Sequence, residues 1–419
     1  MDQSSTLRSF CLLATAFFIL FSGCKENMDT PYINQGDSRG RVISYELIET
    51  WDSTAIVDLI NTVDPLLTIF FSKSYDVEGY KVTYQTTSFD GTPTTATGAL
   101  MVPVSRDGNP TPSTLVGYSH GTMIRKESAP SRFGGGGEES IGVLLACDGY
   151  LVTMPDYLGL GDGKGFHPYS HATSQASSVI DIMRAGKDVA NDLSVPTNGN
   201  VFLVGYSQGG QSTLATHKEI EAHHSDEFNL IGSAPMSGAY DVSGAQEQYM
   251  LAFTPYSTPG YLPYILYSYD MVYDVLPEGT PIDVLKDPYD SIVPYLLEQN
   301  TSISSINDMC NPIPRLMIED SYLDEYINDP NHPLKVALRD NDLYLGWVPQ
   351  APVGLFYCEG DDQVSYLNSL VTYDAFVAAG AQNVSLRRID ADGNLLDHND
   401  CAPGALLSGK LFLDSLDNL

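Results

Sequence analysis

Ser207 stands at the centre of Gly205-Tyr206-Ser207-Gln208-Gly209, after the apolar run Val201-Phe202-Leu203-Val204 and before a helix-forming stretch from Gln211 to Ala222. Strand, sharp turn and helix in that order place a serine hydroxyl at an exposed apex, which makes Ser207 a candidate nucleophile. The turn leaves no room beside the serine for a β-carbon, so small residues are required at Gly205 and Gly209. The helix N-terminus supplies N–H groups and a dipole that favour developing negative charge. An ordinary glycine turn could carry the same five letters, so the reading rests on the strand before it and the helix after it.

A serine hydroxyl is a weak nucleophile near neutral pH. It needs an imidazole to take its proton and a carboxylate to orient that imidazole. The predicted strand Val353–Cys358 runs into Glu359-Gly360-Asp361-Asp362-Gln363-Val364, and Asp361 is the expected acid. Asp362 and Glu359 compete with it, and loop solvation or helix capping is the plain alternative for all of them. His398, in Leu395-Leu396-Asp397-His398-Asn399-Asp400-Cys401, lies after the acid and after the last predicted strand, and is the expected base. His217, His223 and His224 fall on or just past the serine helix and are expected to face solvent; His120, His167, His171 and His332 precede the acid. An oxyanion would be held by the backbone N–H of Gln208 and by one from Ser119-His120-Gly121-Thr122, with Thr122 favoured over Gly121 and His120 propping the loop.

These side chains need a frame. Strands are predicted over 81–87, 95–104, 115–118, 150–154, 201–204, 230–236, 353–358 and 384–389. Helices are predicted over 54–71 (with Ile56, Leu59, Ile60 and Val63 on one face), 141–147, 172–193 and 366–379, and a final one from Pro403. Strands alternating with helices imply a mostly parallel sheet covered on both faces, an α/β architecture. Right-handed crossovers then bring the Ser207, Asp361 and His398 loops to the carboxyl edge of the sheet. The alternation stops between 238 and 347, where tyrosines crowd (Tyr249, Tyr256, Tyr261, Tyr264, Tyr269 and others). This stretch is expected to be a mainly helical cap inserted between core segments 41–237 and 348–419. Its tyrosines could pack the cap or present amphipathic surfaces to aromatic or sugar-bearing ligands.

The chain of 419 residues is 43% hydrophobic and 18% charged, with a formal net charge of −32. Such acidity repels phosphate backbones and argues against nucleic acid as a partner. Phe10–Phe21 is an apolar run of signal-peptide length, ending in Phe21-Ser22-Gly23-Cys24, which resembles a bacterial lipobox. Residues 1–23 are therefore expected to be a lipoprotein signal, Cys24 the lipidated residue and 24–40 a polar tether, giving an exported protein anchored to the outer membrane. Lys25-Glu26-Asn27-Met28-Asp29 loosely resembles a surface-export signal of Bacteroidota lipoproteins. Plain secretion is the alternative. Beyond Cys11 and Cys24, four cysteines remain, Cys147, Cys310, Cys358 and Cys401. An oxidising compartment allows three pairings of them, and four buried thiols are also possible. No metal cluster and no cofactor motif is evident. Gly134–Gly137 carries no phosphate-binding lysine and is expected to be a surface loop.

The serine elbow, Ser119-His120-Gly121-Thr122, Pro155-Asp156-Tyr157-Leu158-Gly159-Leu160-Gly161, His167-Pro168-Tyr169 and Asp181-Ile182-Met183-Arg184-Ala185 together resemble the secretory lipase family of α/β-hydrolases, over roughly 80–401. The resemblance implies an α/β-hydrolase fold and a capped serine hydrolase acting on carboxylic esters without a cofactor. It also implies disulfides that tie cap to core and brace the histidine loop, jobs that Cys147–Cys310 and Cys358–Cys401 would do. Asp156 and Arg184 are expected to be structural, as an internal ion pair. A serine esterase acting on a small-molecule ester is the leading expectation. A peptidase of prolyl or aminopeptidase type is the first rival, and a non-catalytic hydrolase-fold binding module the second. No protein partner is evident, and acyl length and alcohol stay open.

Overall fold

Two-faced burial selects the inner strands, and an edge position releases the outer ones. The computed structural model describes residues 38–63, 70–72, 74–134, 137–277 and 281–417. Residues 39–419 form one unit. The expected signal, Cys24 and nearly all of the expected tether lie outside the described residues, as do Gly135 and Gly136. Among the described residues the strands are β1 (Val42–Trp51), β2 (Tyr75–Thr87), β3 (Pro93–Ser105), β4 (Ser113–Ser119), β5 (Leu151–Pro155), β6 (Thr197–Tyr206), β7 (Asn229–Met236), β8 (Val353–Tyr357) and β9 (Val384–Arg388). They form one sheet in the order β1-β2-β3-β5-β4-β6-β7-β8-β9. The first strands and β5 pair antiparallel, and all pairs from β5 through β9 are parallel.

The helices are α1 (Ser53–Val63), α2 (Glu139–Ala146), α3 (Ala172–Asp192), α4 (Gln208–Glu219), α5 (Glu247–Met250), α6 (Tyr261–Tyr273), α7 (Val293–Glu298), α8 (Ile303–Asn307), α9 (Asp320–Asn328), α10 (Pro333–Asp340), α11 (Leu367–Ala378) and α12 (His398–Asp417). Neighbouring residues of a strand serve opposite faces. Val116, Val152 and Phe202 pack with Ile56 and Ile60 of α1, Val143 of α2 and Leu413 of α12. Leu115, Leu151, Val201 and Leu203 pack with Val179, Ile180 and Met183 of α3 on the other side. The inner strands therefore read as unbroken apolar runs.

Strand β1 had no counterpart among the predicted elements. It is an edge strand whose Ile43, Leu47 and Ile48 remain exposed, so it lacks the buried face that makes a strand readable. Helix α12 begins at His398, not at Pro403. Asp397 caps it, its carboxylate accepting from Asp400 N at 2.9 Å. Pro403 sits inside the helix, and the imidazole stands on the first turn.

Between β7 and β8 lie α5 to α10, with an apolar cluster of their own that includes Tyr264, Leu266, Tyr269, Leu296, Met317 and Leu338. The tyrosines act as fasteners. Tyr264 donates to Met123 O at 3.0 Å, Tyr269 to Ser170 O at 3.2 Å and Tyr256 to Gln363 O at 2.6 Å. A buried tyrosine needs a partner for its hydroxyl, and core-loop carbonyls provide it.

Asp156 and Arg184 do not meet. Buried Asp156 accepts from Thr97, from the Ser131 hydroxyl and from Ser131 N, and burial raises its pKa. Arg184 pairs with Asp181 at 2.9 Å and with Glu227. Short hydroxyls satisfy Asp156 locally, while the longer arginine bridges buried Asp181 and half-buried Glu227.

Candidate active site

Strand β6 ends in the Ser207 turn, where the serine adopts φ 63° and ψ −125° before α4 begins. That conformation is strained for a residue with a side chain. It is held by Ser207 N donating to Met236 O at 2.9 Å and by the close approach of β4. A Cβ on Gly209 would stand 2.0 Å from Ser119 O, and one on Gly205 2.6 Å from the same atom. Both glycines are thus required by the neighbouring strand end.

Asp361 and His398 come together across the loops that follow β8 and β9. His398 Nδ1 lies 2.9 and 2.8 Å from the two carboxylate oxygens of Asp361. Asp361 Oδ1 also accepts from Gln363 N and Val364 N at 3.0 and 2.8 Å, so the acid cannot swing. Asp362 serves differently, accepting the backbone N–H of His398 at 3.1 Å. Glu359 pairs with Arg388. Tyr206 closes the arrangement by donating to His398 O at 2.6 Å, its ring 4.9 Å from the imidazole. Ser207 and His398 line one cavity of about 510 Å³ together with Gly121, Thr122 and Tyr261.

A disulfide joins Cys358 and Cys401, 43 residues apart. Cys358 lies at the end of β8 just before the acid loop, and Cys401 one turn after His398. The bridge therefore holds the two loop ends together. The Cys147–Cys310 pairing is not formed. Cys147 packs in the core under the sheet and its thiol donates to Leu144 O at 3.1 Å. Cys310 packs against the apolar cluster of the 238–347 segment, where burial pushes its thiol up to about 12. Removing the bridge by Cys358→Ser/Cys401→Ser is expected to lower stability by about 4 kcal/mol, from the chain entropy of so long a loop. Urea midpoints of the oxidised wild type and the double variant measure it; equal midpoints would contradict this.

Of the two candidates for the loop donor, Gly121 is already engaged. Gly121 N already donates to both carboxylate oxygens of Glu138, at 3.0 and 3.2 Å. The Thr122 hydroxyl lies 3.3 Å from Tyr169 OH. The Gln208 N–H heads α4, where no intrahelical acceptor exists. Gln208 is also held by its side chain, whose amide Nε2 donates to His167 Nε2 at 2.7 Å. His167 Nδ1 donates in turn to Leu158 O at 2.9 Å. Burial holds that imidazole neutral, with a pKa of about 3, which is the state the chain of hydrogen bonds requires. His120 lies under the oxyanion loop, its ring nitrogens 2.7 Å from Gly121 O and 3.3 Å from Asp156 O.

Glu138 and the Gln208–His167 contact were not foreseen as parts of the site. Glu138 precedes α2, in a stretch that reads as a surface loop, and no spacing signals it. His217 departs from expectation in the opposite way. It is fully buried, its ring between Ser233 Oγ at 2.7 Å and Glu221 at 2.9 Å. Helix α4 turns that side against β7, while His223 stays exposed.

Known proteins share the fold. A family model described as secretory lipase matches residues 138–250. The rice cell wall degrading esterase LipA from Xanthomonas oryzae, in a ligand-bound form, is 28% identical, with a TM-score of 0.78 over 91% of this chain and 98% of that one. A putative hydrolase from Legionella pneumophila is 26% identical, with a TM-score of 0.80 over 90% and 98%. Candida antarctica lipase A in its closed state shares the fold at 16% identity, with a TM-score of 0.66 over 93% and 85%. No curated protein matches in sequence. The fold is that of the α/β-hydrolases, and the chain is a serine-type hydrolase of carboxylic esters.

Proposed function

We propose that this ester hydrolase works through an acyl-enzyme on Ser207, with His398 as base and Asp361 as the residue that orients it. Ser207 attacks the ester carbonyl as His398 Nε2 takes its proton. Asp361, bonded to Nδ1, fixes the tautomer and stabilises the imidazolium. The N–H groups of Gln208 and Thr122 hold the oxyanion. His398 then returns the proton to the leaving alcohol, and water repeats the sequence to free the acid. The bidentate Asp361–His398 contact at 2.8 Å, in a cavity shared with Ser207, is the observation that carries the reading. A fluorophosphonate should label the wild-type protein on Ser207, located by peptide mass spectrometry. Absence of label, or label elsewhere, would reject it.

Two chambers meet at the serine. The wider, mixed one is the cavity of about 510 Å³. A narrow one of about 30 Å³ touches Ser207, Gln208, Val242, Met250 and Ile265. It shares Val242, Gln246, Met250 and Ile265 with a space of about 60 Å³ inside the cap, walled by Leu262, Leu266, Leu323 and Leu338. We place the acyl chain in this apolar branch and the alcohol in the wide one. The residues 238–347 then act as an inserted cap that forms the acyl wall. Met250→Trp should lower kcat/KM for octanoyl esters about tenfold or more, the scale of a few methylenes of pocket contact, while acetyl esters change little. A parallel loss for both acyl lengths would reject the placement.

Export fits the same reading. The relative from Xanthomonas oryzae is described as cell wall degrading, work done outside the producing cell, and the lipobox-like Phe21-Ser22-Gly23-Cys24 provides a route. Cleavage after residue 23 with acylation of Cys24 would anchor the enzyme to the outer membrane.

A further inference from the structure

The wide chamber holds a carboxylate that the reaction does not call for. Glu138 lines it beside Ser207 and His398. Its Oε1 accepts from Gly121 N at 3.0 Å and its Oε2 from Tyr118 OH at 2.7 Å. Both oxygens act as acceptors, as an ionised carboxylate does. A Cβ on Gly121 would lie 3.0 Å from Glu138 Oε1 and 3.9 Å from Ser207 Cβ, so the charge sits within about 7 Å of the nucleophile's Cβ. A negative charge there works against an oxyanion, and holding a loop needs only a neutral acceptor.

The one other carboxylate of the wall adds the same sign. Asp362 lines the chamber, and no lysine or arginine is among its lining residues; Ser257, Ser304, Asn307 and Gln363 supply uncharged polar groups. We propose that Glu138 makes the alcohol side charge-selective: the chamber takes a cationic or neutral, hydroxyl-rich alcohol and turns away one bearing an anionic group. This rests on the proposed placement of the alcohol in the wide chamber. Hydroxyl or ammonium donors of the alcohol meet carboxylate and amide acceptors, whereas a sulfonate, phosphate or carboxylate meets like charge in a partly desolvated space.

The test uses butyrate esters of choline, of its uncharged carbon isostere and of hydroxyethanesulfonate, with kcat/KM measured for the wild type and Glu138→Gln. The choline-to-sulfonate ratio should fall roughly tenfold in the variant, the size of one unit charge acting through a partly solvated site. In the wild type it should also shrink as NaCl rises from about 20 mM to about 0.5 M, because salt screens the charge. If all three esters lose activity in parallel and the ratio is kept, Glu138 only positions the Gly121 loop and the inference fails. If the variant does not fold, the salt series decides, and a wild-type ratio that does not respond to salt overturns the inference. Fluorophosphonate labelling of the wild type separates the causes: labelled Ser207 with a flat ratio defeats charge selection alone, whereas an unlabelled wild type defeats the proposed chemistry beneath it.

Discussion

Replacing His398 by alanine is expected to lower kcat on a nitrophenyl ester by about 10⁴-fold or more, with KM little changed. The ring is nearly fully buried, between the Asp361 carboxylate and the cavity that contains Ser207. No other histidine lines that cavity, so no neighbour can take over the proton. Ser207→Ala should fall by a similar factor, and the double variant hardly further, because nucleophile and base act as one unit. Steady-state kinetics on the two single variants and the double variant give the answer. Multiplicative losses would mean that the two side chains act independently.

Asp361→Asn is expected to lower kcat by about 10³- to 10⁴-fold, because an amide opposite Nδ1 favours the wrong imidazole tautomer. Asp362→Asn should stay within a few-fold of wild type. Its side chain touches the His398 backbone N–H at 3.1 Å, and an asparagine oxygen can accept that bond as well. The pair of variants separates two adjacent acids that composition alone cannot distinguish. Equal losses would remove Asp361 from its proposed role.

What the sequence makes legible follows from how local each feature is. The Ser207 turn is written in consecutive residues, because the strand, the glycines and the helix are neighbours in the chain. Asp361 is legible from its distance beyond a buried strand, although only the fold shows that Asp362 turns to the backbone instead. The start of α12 is hidden, because Pro403 reads as a helix opening while the Asp397 cap lies further upstream. Strand β1 hides because its apolar side chains remain in solvent. Glu138, the burial of His217 and the separation of Cys147 from Cys310 are long-range facts. Each depends on which face of an element meets another, and no motif encodes that. The tyrosines between β7 and β8 are readable as aromatic mass, but their job of bonding to Met123, Ser170 and Gln363 carbonyls depends on the folded arrangement.

The covalent clasp between Cys358 and Cys401 also couples the support of the imidazole to the redox state of the surroundings. Oxidising surroundings keep the bond, and reducing ones return it to two thiols. Once it is open, the arm that carries His398 is joined to the end of β8 by non-covalent contacts, among them the Asp361 and Asp362 hydrogen bonds.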